Sequence, residues 1–519
     1  MRPRRPPRRK RSLILAAVTA LAVTWPGAAW ADDAWDDDEG PLDDRAFDYT
    51  TAAKRNYARG FLEVLGVLGI GYAQYQLDKS NSIDWDLGYD WQSFRAKLLF
   101  EAVSLDNNRF ATNWVTHPFA GYWYYSSLRQ NRAGIPQSTA VAFGASVLWE
   151  YLGEFKEQVS INDLIATPLG GVALGESSLQ LGVLFQRSRP TLATRSLGTL
   201  FAPLKTVHDA LDGLSVAPPS AYDDLGFPAD VWHRIRVGAG GGLTSQEGGV
   251  DQGDVRMYAS TRIVTLPHYG RAGNVTQWFD SGEVSDFDLA ASVAKSGLAD
   301  MKLAGRFMPA GYFTQDVRGT RGALHGHAVV AGFLGAFEYG VHDYDRDRRT
   351  SADQIALVGL GTRVEHTAYL GPLTFRASLD GLVNFAGVGA YALPEYIARA
   401  GDAGLASVVA RQRYYHGYGA TLQPKLALEG ARFDAGAELR FDLFTSMGGL
   451  DREARPAADA VEIDISDRRV GARAWVGYKP SRHTRLVLSG QRLMRAGVIG
   501  PVSSSRWELT GLAAVELDF

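Results

Sequence analysis

The sequence predicts an α+β membrane protein, in which an N-terminal α-helical domain precedes a transmembrane antiparallel β-barrel of about 12 strands. Three observations lead to this fold class. The chain begins with an export signal, its hydrophobic period changes from helical to strand-like near Val231, and it has 57 glycines and 22 tyrosines but no cysteine. An exported chain without disulfides and rich in these residues is typical of a bacterial outer-membrane barrel.

The N-terminus carries the signal for secretion. Seven basic residues lie within Met1–Arg11, an apolar run follows over Ser12–Val23, and the sequence Ala29-Trp30-Ala31 offers a cleavage site. This pattern predicts that residues 1–31 are a signal peptide of the general secretory route, too short to span a membrane. Removing seven of the 54 basic residues, against 57 acidic ones, changes the net charge from −3 to −10. An acidic exported chain is not expected to bind nucleic acid.

The region after the signal is acidic and then helical. Residues 32–48 are poor in aliphatic side chains, so we expect a disordered lead-in there. Helical periodicity covers residues 49–215, which we assign to a helical domain, periplasmic or plug-like. Residues 216–230 hold Pro218, Pro219 and Pro228 and are predicted to be a linker.

Residues 231–519 alternate apolar and polar positions with a period of two. In Trp507–Phe519 the odd positions are apolar or small, and the even ones include Glu508, Glu516 and Asp518. A strand between lipid and a polar lumen requires this alternation, although a soluble sandwich also has it. The predicted strands lie near residues 231–243, 253–265, 284–295, 299–312, 324–340, 353–369, 372–386, 411–428, 431–444, 468–479, 482–495 and 504–519.

The lengths of the connections favour the barrel over the sandwich. Short turns near residues 370–371, 429–430 and 480–481 alternate with long connections at 342–352, 387–410, 445–467 and 496–503. Short periplasmic turns and long outer loops are typical of outer-membrane barrels, and a closed sheet leaves no edge unpaired in lipid. We therefore expect the outer membrane of a Gram-negative bacterium. Since a barrel of this size has a narrow lumen, most helices should lie beneath it on the periplasmic side.

Polar residues within the apolar helical domain are the candidates for chemistry. His117 precedes a proline, Glu150 lies four residues after Ser146 on one helix face, and Asp163 follows Ser160 by three. A histidine near two carboxylates can serve in acid–base catalysis or bind a metal, so His117, Glu150 and Asp163 are the candidate catalytic residues. The residues expected to have structural roles are Asn113, Ser146, Trp149, Glu154, Ser160, Thr167, Pro168, Gly170, Gly171, Gly175 and Glu176.

Each candidate also has a purely structural interpretation. His117 can be a packed side chain, and Glu150 can hydrogen-bond a helix end or pair with Arg129 or Arg132. Ser160 with Asp163 fits a helix cap better than a nucleophile and its partner. No metal-binding motif, nucleophile elbow or phosphate loop is present in the sequence, so neither a metal nor a cofactor is expected.

At these residues the sequence resembles a known family. The order Asn113-x3-His117-Pro118, then Ser146-x2-Trp149-Glu150, then Ser160 to Glu176 is similar to an uncharacterised bacterial envelope family. Its members pair a helical domain of unknown function with a C-terminal outer-membrane barrel, so the resemblance implies location and architecture but no activity. A fainter similarity extends to the VanZ-like membrane proteins, with Asn113 and Trp114 in place of their Asp-Lys and Thr167 in place of their Asn.

Three functions fit this sequence. The first is a non-enzymatic barrel with a helical module, which organises the envelope or passes a small or lipidic molecule. The second is an outer-membrane enzyme that acts on lipid or glycolipid through His117, Glu150 and Asp163. The third is a narrow channel plugged by the helices. The expected partners are outer-membrane lipids and a lipidic or small-molecule ligand; the oligomeric state and the ligand itself are not predicted.

Overall fold

The computed structural model describes residues 54–77, 87–219, 221–247, 251–295, 297–320, 322–342, 353–401, 405, 407–448 and 463–519. The expected signal peptide and disordered lead-in lie outside these residues.

The described N-terminal part is helical. Its helices are α1 (Tyr57–Leu77), α2 (Trp91–Leu98), α3 (His117–Arg129), α4 (Ile135–Leu148), α5 (Ile161–Arg187), α6 (Leu192–Phe201) and α7 (Pro203–Leu211). Two π-helical turns, Thr112–Thr116 and Trp149–Gly153, lie at the start of α3 and the end of α4. Two short strands, β1 (Val103–Ser104) and β2 (Val159–Ser160), pair in parallel. No described helix combines the length and the apolar composition needed to cross a membrane.

The C-terminal part is a closed antiparallel barrel, as predicted. Its twelve strands are β3 (Trp232–Gln246), β4 (Gln252–Val264), β6 (Val284–Ala294), β7 (Gly297–Met308), β9 (Ala323–His342), β10 (Asp353–Gly371), β11 (Leu373–Gly389), β12 (Tyr414–Gly430), β13 (Phe433–Ser446), β14 (Ile465–Tyr478), β15 (Thr484–Ile499) and β16 (Val502–Asp518). The last strand pairs with the first, and the pairing of β9 with both β7 and β10 completes the ring. Helices α8 (Leu393–Ala400) and α9 (Ser407–Gln412) connect β11 to β12.

The sequence prediction missed two strands and misjudged one loop. Strands β5 (Gly273–Phe279) and β8 (Gly311–Thr320) pair with each other, and β8 also pairs with the first half of β9. They explain why residues 267–282 are too long for a turn. The long connection expected at 496–503 is wrong, because β15 and β16 pair up to Ile499 and Val502. The small and polar residues at the ends of these strands are of the types that are common in loops.

Contacts across the ring identify the inward face of each strand. Arg234 Nη1 of β3 lies 2.6 Å from Glu429 Oε1 of β12, and Arg440 Nη1 of β13 lies 2.6 Å from Glu338 Oε1 of β9. Several strands separate the partners in the sheet order. Such side chains can meet only through the lumen, so their neighbours in sequence face outward.

The barrel's own residues occupy both ends of the lumen. Buried ion pairs cross it, and the connection after β4 folds into the end that holds the chain terminus, which we call the terminal end. There Tyr269 donates a hydrogen bond to Glu365 at 2.7 Å and its ring contacts Trp232 and Phe313. At the opposite end, the loop end, helix α8 packs near β16 with Leu393 and Tyr396 buried. Between the two ends, the inward-facing side chains of Lys425, Arg473 and Gln491 are exposed, so the lumen is narrowed at its ends and keeps space in its middle.

The helical domain lies against the outer wall of the barrel. A Cβ on outward-facing Gly305 of β7 would lie 2.5 Å from Ser177 Oγ of α5, and Trp114 covers Gly387 of β11 in the same way at 2.3 Å. The described helices therefore do not plug the lumen, which corrects the plug alternative. They also lie beside the barrel and not beneath it as expected. The narrow width of the lumen excludes the helices from the barrel interior, but it does not exclude them from the outer wall.

Candidate functional site

Two π-helical turns position the first two candidate catalytic residues. His117 donates its backbone N–H to the Thr112 carbonyl at the end of the first turn, and Glu150 lies inside the second. π-Helical turns are rare and occur frequently at functional sites, because the extra residue turns a side chain away from the helix face that it would otherwise occupy. The sequence contained no signal for either turn.

The third candidate lies opposite His117 on the first turn of α5. His117 Nε2 is 3.7 Å from Asp163 Oδ2, within ion-pair range but too long for a hydrogen bond. The other carboxylate oxygen accepts from Asn162 Nδ2 at 2.9 Å. The Asp163 backbone N–H donates to Ser160 Oγ at 3.3 Å, so Ser160 caps α5. The cap fixes the direction in which the Asp163 carboxylate points.

Glu150 is fully buried close to this pair. Its Oε2 accepts the backbone N–H of Ser160 at 2.7 Å, whereas its Oε1 has no hydrogen-bond partner among the described residues. Asp163 Oδ2 likewise has none. Buried polar atoms are normally hydrogen-bonded, so two unsatisfied carboxylate oxygens within one cluster require an explanation. The two oxygens mark the point of the cluster at which a further hydrogen-bond donor, such as a water molecule or a polar ligand, can bind.

The surroundings change the protonation of all three groups. Burial raises the pKa of Asp163 from 3.8 to about 7, partly opposed by its bonds to Ser160 and Asn162. Burial also raises the pKa of Glu150 well above its usual value, and the neighbouring Glu154 and Asp163 carboxylates add to this. The pKa of His117 is lowered by burial. Burial thus favours the neutral forms of all three groups.

Asn113 and several residues that the sequence did not single out link this cluster to the barrel. Asn162 Oδ1 accepts the backbone N–H of Asp106 at 2.8 Å, and the Asp106 carbonyl accepts from His416 Nε2 of β12 at 2.8 Å. Asn113 Nδ2 donates to the Tyr414 hydroxyl at 3.0 Å. His416 and Tyr414 face outward on β12, so the cluster lies at the junction between helices and barrel, near the loop end.

A buried lysine completes the cluster. Lys97 Nζ donates to the carbonyl oxygens of Glu150 and Glu154, both at 2.7 Å, which ties α2 to the second π-helical turn. Glu154 Oε1 accepts from Trp149 Nε1 at 3.0 Å. Because Lys97 binds backbone carbonyls, it holds the shape of the turn that carries Glu150. A lysine in an amphipathic helix gave no sequence signal for this role.

The remaining motif residues lie at helix contacts. A Cβ on Gly171 would be 2.1 Å from the Gly121 carbonyl carbon, so α3 and α5 approach closely there. Glu176 receives two hydrogen bonds from Arg129, at 2.8 and 2.9 Å, and one from the Tyr125 hydroxyl at 2.6 Å. Arg129 thus pairs with Glu176 and not with Glu150. Gly170 and Gly175 also face neighbouring side chains. Ser146 Oγ donates a hydrogen bond to the Asp163 carbonyl oxygen, and Thr167 and Pro168 are buried in α5.

The arrangement suits proton transfer or binding of a polar group better than metal binding. Among the described residues, no group of three or more histidines and carboxylates has the geometry to hold a metal ion. An apolar groove of about 540 Å³ lies elsewhere, on the outer wall around Ala239, Phe433 and Val476. We regard the groove as separate from the chemistry because its lining contains no histidine or carboxylate.

Comparisons with known proteins bear on the helical part and on the barrel separately. Residues 102–204 match the model of a family described as Domain of unknown function (DUF3943). This match contains His117, Glu150 and Asp163. A search of curated proteins finds no match. Neither result bears on the similarity to VanZ-like proteins, which stays a prediction.

Solved structures with some similarity are outer-membrane barrels. The translocator domain of the autotransporter NalP from Neisseria meningitidis has 8% identity and a TM-score of 0.21, covering 55% of this chain and 88% of its own. The channel DcaP of Acinetobacter baumannii has 10% identity and a TM-score of 0.21, covering 56% and 97%. Pseudomonas aeruginosa OccK2 has 9% identity and a TM-score of 0.17, covering 56% and 98%. At such TM-scores we draw no functional argument from them; the strand pairings establish the barrel.

Proposed function

We propose that the protein is a non-conducting outer-membrane barrel of a Gram-negative bacterium that holds a helical module on its lipid-facing wall. The module binds a lipidic envelope molecule without converting it. One observation about the interior and the outer wall of the barrel carries this proposal. Buried ion pairs cross the lumen, while the outer wall carries the only large second domain among the described residues.

The apolar outer wall supports a membrane location. On β13 to β16, outward-facing Leu439, Val476, Leu488 and Val515 are exposed by 42, 55, 61 and 51%. Their inward neighbours are charged or polar. A row of exposed aliphatic side chains around a closed barrel is stable in hydrocarbon and prone to aggregation in water.

The contents of the lumen support a non-conducting barrel. Arg363 is buried between Asp286 and Asp380, and Arg485 between Asp434 and Glu516. Opening such a path would separate buried ion pairs, which costs several kcal/mol each. Purified protein in planar bilayers should therefore show no steady conductance, with or without residues 32–215. Reproducible ion conductance of the intact protein would contradict the proposal.

A second candidate function is acid–base catalysis on a lipid or glycolipid, and the His117–Asp163–Glu150 geometry favours it. In that case Asp163 orients His117, which takes a proton from a substrate hydroxyl or water, while protonated Glu150 is the acid.

Mass spectrometry separates the two candidates. The purified protein is incubated in vesicles of total outer-membrane lipid extract, and new products are sought. Catalysis predicts products that disappear with His117→Ala and persist with His327→Ala, a histidine exposed on the outer wall at the terminal end. Binding alone predicts no product and co-purification of a lipid that His117→Ala releases. If His117→Ala, like the control His327→Ala, leaves both the products and the bound lipid unchanged, both proposed functions of the cluster are wrong.

A further inference from the structure

We propose that the exposed face of helices α1, α3 and α4 contacts hydrocarbon, so that the helical domain lies in the same bilayer as the barrel. This inference rests on the proposed membrane location of the barrel. It adds that the lipid-contacting surface of the molecule is built from helices over part of its circumference and from strands over the rest.

The first argument is the composition of that face. Helix α1 exposes Leu62, Leu65 and Ile70 by 69, 58 and 72%, and α4 exposes Phe143 and Val147 by 36 and 43%. Such exposure of large aliphatic and aromatic side chains on adjacent helices forms a continuous apolar surface, which a soluble domain does not normally present.

The second argument is the distribution of charge. From Gly60 to Leu77 the only charged residue is Glu63, which bonds to His208 and Asn131 and is half-buried. From Phe110 to Trp149 the only ones are Arg129 and Arg132, and both are buried. Hydrocarbon tolerates charged groups only when they are paired or face the protein interior, and this face meets that condition.

Charged residues reappear at both ends of the helical domain. Toward the loop end Arg95, Glu101 and Arg109 are exposed, and toward the terminal end Arg195 is exposed and Asp212 pairs with Arg59 and Arg132. An apolar belt between two charged rims matches the profile of a membrane protein. A docking surface for one soluble partner would not require rims at both ends.

The third argument is continuity with the barrel wall. Helix α5 crosses the outward faces of β9, β7 and β6, whereas α1 packs mainly on α3, and α4 packs mainly on α3 and α5. The domain thus occupies space that lipid would otherwise fill, and its outer face continues the belt of the uncovered strands. Hydrocarbon is the occupant that fits both surfaces at once.

The absence of cysteine from the sequence allows a direct test. We would make Leu62→Cys and Phe143→Cys on the belt, Leu439→Cys on the barrel wall as a reference, and Arg195→Cys on the rim as a control. Each full-length variant is spin-labelled in phosphatidylcholine vesicles. Collision of the label with oxygen and with a water-soluble nickel chelate is then measured. Retained heat-modifiable mobility on gels verifies folding.

We expect Leu62→Cys and Phe143→Cys to match Leu439→Cys, with oxygen collisions exceeding nickel collisions several-fold, and Arg195→Cys to show the reverse. Belt labels with nickel accessibility like that of Arg195→Cys would place the domain in water and overturn the inference. Belt labels shielded from both reagents would indicate a protein partner or second copy and overturn it too. If Leu439→Cys itself is accessible to nickel, the membrane location of the barrel fails instead.

Discussion

The covered and the uncovered parts of the barrel's outer wall have the same sequence pattern and different surroundings. On β10 the outward-facing Ala356 and Val358 are 0 and 2% exposed, because the helical domain covers them. Farther along the same face, Leu360 and Val364 are 53 and 49% exposed. Period-two alternation therefore selects an apolar outer face without specifying whether protein or hydrocarbon covers it.

The two parts differ in the residues that allow a close approach. The covered wall has glycines where the helices lie nearest, Gly305 and Gly387, and polar groups such as His416 that bond to the helical domain. The uncovered wall on β13 to β16 presents mainly aliphatic and aromatic side chains. A protein neighbour needs specific shape and hydrogen-bond partners, whereas lipid needs only an apolar surface.

The largest effect is expected from breaking the buried pair that joins α3 to α5. Glu176→Leu leaves Arg129 buried without its carboxylate, which should destabilise the helical domain by about 3–5 kcal/mol. Trypsin digestion and near-ultraviolet circular dichroism in detergent would measure it. The double variant Arg129→Leu/Glu176→Leu should recover much of the loss. Equal loss in both variants would show that the charge is not the cause.

On the uncovered wall, a charge tests for hydrocarbon. Phe441→Arg should destabilise the barrel by about 2–4 kcal/mol, because Phe441 lies mid-strand on the outward face. Tyr478→Arg, at the terminal end of β14, should cost about 0–1 kcal/mol near the interface. Urea titration in lipid vesicles measures both. Equal costs at the two depths would argue against a bilayer around these strands.

Two glycines on the outward face of β11 compare covered and uncovered wall directly. A Cβ on Gly387 would lie 2.3 Å from Trp114 Nε1, whereas one on Gly381 would meet no atom within 4 Å. Gly387→Ala should cost about 1–3 kcal/mol through overpacking. Gly381→Ala should be close to neutral. Thermal unfolding followed by tryptophan fluorescence would measure the difference, and equal values would mean that Trp114 does not pack there.

The last expected effect is a pH dependence that arises from one carboxyl of the helical domain. Since burial raises the pKa of Asp163 from 3.8 to about 7, its protonated form stabilises the folded helical domain. That stability is fully present below about pH 4 and is lost as the pH rises through about 7. Asp163→Asn should remove this part of the pH dependence and make the domain more resistant to protease at pH 8 than the parent. A parent whose resistance increases from pH 5 to pH 8 would contradict the shift.

The sequence predicted the barrel well because a strand's environment repeats every two residues. A segment such as Trp507–Phe519 can therefore be recognised as a strand from its own residues. The predicted bounds of all twelve ring strands lie within a few residues of the observed ones. For the candidate cluster, the sequence predicted which residues belong to it but not how they are arranged. His117, Glu150 and Asp163 come from three different elements, and their convergence depends on two π-helical turns without a sequence signal. Lys97 and His416 lie near them only because the fold packs distant segments of the chain together.

By itself, the sequence determined which face of each strand is apolar and how many strands close the ring. The tertiary structure alone decided that the helices lie on the outer wall, that ion pairs cross the lumen, and that the cluster lies where helix and barrel meet. The physical reason is that burial of apolar surface has no direction: the pattern requires that a face leave water, and only the packed fold determines what replaces the water.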